Sequence, residues 1–347
     1  MSSTKKAKKI SLIRDSEKGM YKVSQSKVNC WRKCRQEFQY KYVEFLKPKV
    51  KARPLRFGGI IHDMLEADLE GKNPFSILNK IAKANDKLFR AEQELYGNIV
   101  QDIRYVMESY FDYWDSHKAE QFVAIELNGR HSEHEFAVKI ADGILAKGKI
   151  DLLASAKKLK WLGEHKTHKT FPQPEHRWRN LQSVTYIKIV DMLGIARLDG
   201  TVWDYIRSKP PTRPAILKSG EMSRAALDSL PRVVEDVIKQ NKLKRAEYVD
   251  VLKKQQENQV SWFQRVYTPV SKHIIEPVFN DYISTAREMS ELHGKQMERT
   301  FGRHCEWCSY RSLCGAALQG HDIDFIKERE FIIDENDYEK KDLELAD

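Results

Sequence analysis

The sequence predicts an α/β protein with a mixed, largely antiparallel sheet and helices around it. Three observations predict it. Short apolar runs of strand length cluster between residues 120 and 215, separated by Gly, Asp-Gly and Lys-Lys turns. Longer stretches on either side carry apolar residues at three- and four-residue steps. The chain has 347 residues, 41% hydrophobic and 32% charged, enough for a sizeable core under a polar surface.

The elements follow in order. Residues 1–20 are rich in Lys and Ser, lack periodicity and are expected to form a mobile basic leader. From Ser24, the residues Val28, Trp31, Phe38, Tyr42 and Phe45 recur at helical intervals, and Pro48 and Pro54 then bracket a loop. Gly58-Gly59 precedes a helix from Ile60 to about Glu70, on which His62, Leu65, Glu66 and Leu69 share a face. Residues 75–119 read as a helical layer. Segments 122–126, 135–140, 144–154 and 159–164 read as strands in three successive hairpins, with turns at Gly129, Asp142-Gly143 and 156–158. A helix over 175–194, a strand over 201–207 stopped by Pro210-Pro211, a very basic helical stretch over 223–254 and a long helix over 270–298 complete the body. The organisation expected is one domain over 21–320: an N-terminal helical part (21–119), a core sheet (120–215) and a helical, cysteine-bearing part (216–320). An acidic tail, 321–347, follows.

Net charge is +10 and unevenly placed. The last 27 residues hold eleven acids against four bases, net −7, which leaves +17 on residues 1–320. A basic body suits a polyanion such as nucleic acid, although a solubilising surface carries the same charge. No apolar run reaches membrane-spanning length and no signal-peptide core stands at the N-terminus, so a cytoplasmic protein is expected.

Candidate chemistry lies in short, separated pieces. Asp151 closes an apolar strand in Gly148-Lys149-Ile150-Asp151, and Glu164 and Lys166 occupy alternate strand positions and so share a face. Singly, each has an ordinary reading: a turn cap, a solvated ion pair, and for His62 a satisfied helix histidine. Together, two carboxylates and an imidazole suit a hard divalent cation, with a Lys placed to steer a water or offset phosphate charge. Glu66 reads as an exposed acid more readily than as an auxiliary ligand. Gln182 and Tyr186, one helical turn apart, offer an amide and a hydroxyl for phosphate or a water. Lys169, Phe171, His176, Arg177, Trp178 and Arg179 interleave bases with aromatics, a pattern that suits single-stranded nucleic acid as well as an ordinary loop. Gly143-x4-Gly148-Lys149 imitates a phosphate-binding loop, but Ile150 replaces the required hydroxyl residue and no ATPase is expected.

There are five cysteines. Cys305-x2-Cys308-x5-Cys314 places three thiols within ten residues, a ligation spacing rather than a disulfide framework. A fourth ligand must come from elsewhere, with Cys34 the best candidate and Cys30 the spare. Four thiolates suit zinc or an iron–sulfur cluster, and spacing alone does not choose.

In this order, Gly58-Gly59-Ile60-Ile61-His62, Gly148-Lys149-Ile150-Asp151, Glu164-His165-Lys166, Gln182-x3-Tyr186 and Cys34 with Cys305-x2-Cys308-x5-Cys314 resemble the PD-(D/E)XK nuclease superfamily. The resemblance is to its RecB-like branch, which includes the CRISPR-associated iron–sulfur exonucleases and the nuclease domains of AddB-type recombination enzymes. It implies a restriction-endonuclease-like core and a metal-dependent DNA exonuclease acting on single strands in recombination, repair or DNA processing, in a bacterium or a phage-infected cell. His62, Asp151, Glu164 and the His165 carbonyl would ligate Mg²⁺ or Mn²⁺, Lys166 would be the catalytic lysine, and Gln182 and Tyr186 would complete the site. Cys34, Cys305, Cys308 and Cys314 would hold a [4Fe–4S] cluster joining the N- and C-terminal parts, with zinc as the other occupant. Arg35 stands where the family frequently has Pro. The absence of a helicase motif favours a stand-alone nuclease, with any helicase or recombination protein a separate partner. The alternatives are a structure-specific or internal endonuclease and a non-catalytic DNA-binding assembly protein of the same fold.

Overall fold

The computed structural model describes residues 19–334 except 179, 226, 294 and 296. The expected leader up to residue 18, and residues 335–347 of the expected tail, lie outside the described residues.

In chain order, β1 (Tyr21–Val23) leads into α1 (Gln25–Lys33) and α2 (Arg35–Phe38). Strand β2 (Leu46–Pro48) precedes four helices, α3 (Arg53–Leu69), α4 (Phe75–Asn85), α5 (Arg90–Tyr96) and α6 (Ile99–Ser116). Then come β3 (Val123–Ala124), β4 (Ser132–Ala141), β5 (Ile144–Ala156) and β6 (Leu159–His168). Helices α7 (Pro174–Trp178) and α8 (Leu181–Met192) return the chain to β7 (Gly200–Arg207). After α9 (Pro231–Gln240) and α10 (Val249–Asn258), β8 (Phe263–Pro269) closes the main sheet. The chain continues through α11 (Lys272–Glu291), α12 (Arg311–Gln319), α13 (Ile323–Glu330) and β9 (Phe331–Ile333).

The main sheet has seven strands and is mixed. Strands β4–β5, β5–β6 and β7–β8 pair antiparallel, whereas β6–β7 and β1–β5 pair parallel. The parallel β6–β7 pair needs a crossover, which α7 and α8 supply. Helices surround the sheet over two cores. One joins α1, α8 and α11 to residues such as Phe136, Ile150, Leu153 and Leu162. The other packs α3 and α6 against Ile206 and Phe263.

Four expectations change. Only two of the three hairpins form, β4–β5 and β5–β6. Strand β5 is thirteen residues long and outruns β4, so the 122–126 run fills its remaining edge: Val123 and Ala124 pair with Ser155 and Ala154. Gly58-Gly59 lies inside α3 rather than before it, because Pro54 in the first turn starts the helix at Arg53. The basic stretch 223–254 is not one helix: α9 starts only at Pro231, and α10 follows a separate turn. Strand β8 was not expected at all.

The acidic segment also begins as ordered structure. The Asp322 side chain accepts from the Asp324 and Phe325 N–H groups and caps α13. Phe331 packs with Tyr40, Leu46, Tyr310 and Leu313, and β9 pairs antiparallel with β2. A few apolar residues among the acids are enough to fold this part back on the N-terminal region.

Candidate metal centre

Strands β5 and β6 pair from Ala156↔Leu159 back to Leu152↔Gly163 and then part. On that edge of β5, β1 pairs only with residues 144–146, so the stretch between Ala146 and Leu152 has no strand partner among the described residues. The fork is the origin of the site. Asp151 and Glu164 are the first residues past the last pair, one on each arm. Gly163 keeps the crotch closed, since a Cβ there would run into Leu152.

Three further elements meet at this fork. Helix α3 crosses the end of β6 closely, because Gly58 lies against Thr167: a Cβ on it would fall 2.9 Å from Thr167 Oγ1. This brings the His62 Nδ1 to 3.9 Å from Asp151 Oδ2. The His62 ring also hydrogen-bonds the backbone of His165, in the sense that favours its protonated form, as a bond to a carbonyl does. The His165 N–H donates to Asp151 Oδ2 at 3.2 Å. From β4 comes Glu133, which the sequence reading missed. One ligand atom each from His62, Glu133 and Asp151 lies within 4.8 Å of the others, and no other such group of three or more occurs among the described residues. The register would have exposed Glu133: Ser132↔Leu152 and His134↔Ile150 flank it, which puts it beside Asp151. The strand candidate over 135–140 stops short of it.

Glu164 is 1% exposed. Its Oε2 lies 2.8 Å from Lys166 Nζ, and its Oε1 accepts from Gln182 Nε2 at 3.3 Å. Burial pushes this carboxyl up to about 7, with the Asp151 charge adding to the rise and Lys166 opposing it. Lys166 moves up as well: burial would lower it, but Glu164 and Asp151 together outweigh that. His62 is shifted down, burial exceeding the help from Asp151. Lys166 is thus the cation facing both acids.

Helix α8 braces each arm of the fork with one residue. Gln182 holds Glu164, as above. Tyr186 bonds the backbone of Lys149 through its hydroxyl, and burial drives that phenol far up. Both polar ends are therefore engaged with protein groups. Glu66 pairs with Arg130 at 3.0 Å and stays outside the fork.

Two carboxylates and an imidazole beside a third carboxylate form a hard, oxygen-rich donor set that fits Mg²⁺ or Mn²⁺. Next to it, Tyr205 pairs in register with Lys166 and is flanked by Phe171 at 5.7 Å and Arg177 at 5.6 Å. These are two of the basic–aromatic residues singled out in the sequence. Lys169 contributes its carbonyl to Arg207 Nε. The side chains of His176 and Trp178, and Arg179, lie outside the described residues.

Far from the fork, Cys34, Cys305, Cys308 and Cys314 line one cavity of about 170 Å³, and Cys30 is not among its walls. Burial pushes the Cys308 thiol up to about 11 and Cys30 up to about 12. Among the described residues, no three of the thiols come close enough to hold a single ion. Four thiols around one cavity are a donor set of the kind that zinc or an iron–sulfur cluster takes.

Among the described residues no helix is long and apolar enough to cross a membrane. A family model described as the PD-(D/E)XK nuclease superfamily matches residues 22–315. No curated protein matches the chain.

Proposed function

The chain belongs to the PD-(D/E)XK nuclease superfamily, and from that premise we propose that it is an exonuclease of the RecB-like branch that shortens single-stranded DNA in recombination or repair. Membership implies a metal-dependent nuclease, a hydrolase with DNA as substrate. The observation that carries the catalytic reading is the fork, where His62, Glu133 and Asp151 gather opposite the buried Glu164–Lys166 pair.

In this reading His62, Asp151, Glu164 and the His165 carbonyl hold the divalent ion, with Glu133 added to the set. When bound, that ion polarises the phosphoryl oxygen and lowers the pKa of a water. Lys166, kept an ammonium by Glu164 and Asp151, orients the attacking water by donating to it, and its charge offsets the charge that builds on the phosphate. Gln182 fixes the Glu164 carboxylate and Tyr186 fixes the β5 arm, so neither acid drifts as substrate enters. Arg177, Phe171 and Tyr205 lie on the side where the strand would run, offering phosphate contact and stacking.

The four-cysteine cavity supports the RecB-like branch. We propose that Cys34, Cys305, Cys308 and Cys314 ligate a [4Fe–4S] cluster with a structural role. It would tie the start of α2 to α12 and the segment before it.

Linear single strands labelled at the 5′ or 3′ end, linear duplexes and covalently closed single-stranded circles, each incubated with Mn²⁺ with and without chelator, test the activity. The expected result is metal-dependent shortening of linear single strands with circles left whole. Opened circles would replace the exonuclease with an internal endonuclease. Binding without cleavage of any substrate would leave a DNA-binding assembly protein.

A further inference from the structure

On the face of β6 opposite Glu164 and Lys166, the His165 side chain enters a buried charged knot. His165 pairs in register with Asp204 of β7, and Asp204 with Arg265 of β8, so the three form one row across the sheet. His165 Nδ1 lies 2.9 Å from Asp204 Oδ2. The Tyr110 hydroxyl donates to the same oxygen at 2.5 Å, and Arg265 Nε to Oδ1 at 3.2 Å. Arg265 also donates to the Tyr110 hydroxyl at 2.9 Å, and its guanidinium sits 3.9 Å from Trp114 and 4.4 Å from Phe122. Asp204 is 1% exposed and His165 5%.

A buried ion pair is a poor device for stability alone, because desolvation of both charges cancels much of their attraction. This one does something more specific. A carboxylate only accepts, so the His165 proton is fixed on Nδ1 and the ring has one orientation. Arg265, His165 and Tyr110 together hold both oxygens of Asp204, so its carboxylate is fixed in place. The backbone of the same His165 donates its N–H to Asp151 and meets the His62 ring. One residue therefore joins the knot to two members of the fork.

We propose that Asp204, clamped by Arg265, is a positioning residue for the metal centre: it anchors the His165 ring and thereby sets the peptide that Asp151 and His62 both touch. The proposal rests on the metal-centre reading above. Outer-layer partners of this kind fix ligand geometry without touching the ion.

The test compares Asp204→Asn and His165→Phe with the unaltered protein. Asp204→Asn keeps the shape but removes the charge. His165→Phe keeps the Asp204–Arg265–Tyr110 bonds and removes only the ring's attachment, so it decides the matter should Asp204→Asn fail to fold. Mn²⁺ affinity is measured by calorimetry without DNA, and kcat and KM are measured with DNA. The expected result is Mn²⁺ binding weakened about 10–100-fold and kcat lowered, with KM for DNA changed by no more than about twofold. A folded variant with unaltered Mn²⁺ affinity and kcat overturns the proposal, whatever its melting temperature, since a purely structural knot would move only the latter. If the unaltered protein binds Mn²⁺ but cleaves nothing, the nuclease reading fails while calorimetry still decides the anchor.

Discussion

The Tyr186 hydroxyl occupies the space that a side chain at Gly148 would need. A Cβ built on Gly148 falls 2.7 Å from that oxygen and 2.7 Å from the Phe136 ring. Glycine here is thus a packing requirement: it lets α8 press on β5 three residues before Asp151. Gly148→Ala is expected to cost about 1–3 kcal/mol, read as a lower melting temperature. Adding Tyr186→Phe should restore only part of the loss, because Phe136 still crowds the same point. Full recovery would make the hydroxyl the sole obstacle.

Asp151→Ala and Lys166→Met should each lower turnover at least about 100-fold while DNA binding stays close to that of the unaltered protein. A binding assay in the absence of metal beside a cleavage time course separates the two effects. Normal turnover in Asp151→Ala would remove that residue from the site.

Glu133 carries its own prediction. Its carboxylate faces Asp151 and His62, and Lys149 lies 3.0 Å away as a counter-charge. Glu133→Gln should weaken Mn²⁺ binding at least about tenfold without unfolding the protein. Unchanged calorimetry would return Glu133 to the role of an ion-pair partner for Lys149.

The cysteine cavity predicts a brown protein when purified without oxygen, with iron lost in Cys34→Ala and kept in Cys30→Ser. Cys34→Ala should also melt lower, since a bound group contributes its binding energy to the fold. A colourless protein with one zinc per chain would correct the cluster assignment and leave the nuclease reading in place.

His134 sets an acid limit on stability. It is buried on β4, its Nε2 has no hydrogen-bond partner among the described residues, and burial, helped by the Arg130 charge, holds its pKa down at about 4. The unfolded chain binds this proton more readily, from its ordinary value of 6.5 downward. The contribution of a neutral His134 is therefore intact above 6.5 and is lost as pH falls toward 4. His134→Leu should flatten this limb, so that its melting temperature falls less than that of the unaltered protein between about pH 7 and about pH 4.5. An equal fall in both would show that His134 carries no such penalty.

The parts of the fold that could be read in the sequence were those whose periodicity matches their burial. Strand β4 and helices α6 and α11 bury a regularly spaced set of positions, whereas β5 to β7 and α8 are buried along most of their length and show as short apolar runs between turns. The convergence of His62, Asp151, Glu164 and Lys166 was legible because each polar residue interrupts an apolar run, although the structure puts all four inside α3, β5 and β6 rather than at their ends. Strand β8 was hidden because its inward position is Arg265, a charge that the sequence pattern assigns to solvent and that Asp204 makes tolerable inside. Glu133 was hidden because its partner is set by strand register, which no local pattern encodes. Strand β9 was masked by the acids around it, although three apolar residues, Phe331, Ile332 and Ile333, stand together there.

The pairing of Leu46–Pro48 with Phe331–Ile333 bears on how the molecule comes into being. A ribosome delivers the N-terminal portion first, yet β2 cannot find its neighbour, nor can Cys34 meet Cys305, Cys308 and Cys314, until almost all of the described chain has emerged. The nascent polypeptide therefore carries an unmatched strand edge and an incomplete thiol set until residues 305–333 have emerged, and whatever those thiols capture together can be captured only then. Arrested translation upstream of Phe331 would yield a chain that has its cutting fork but lacks its clasp.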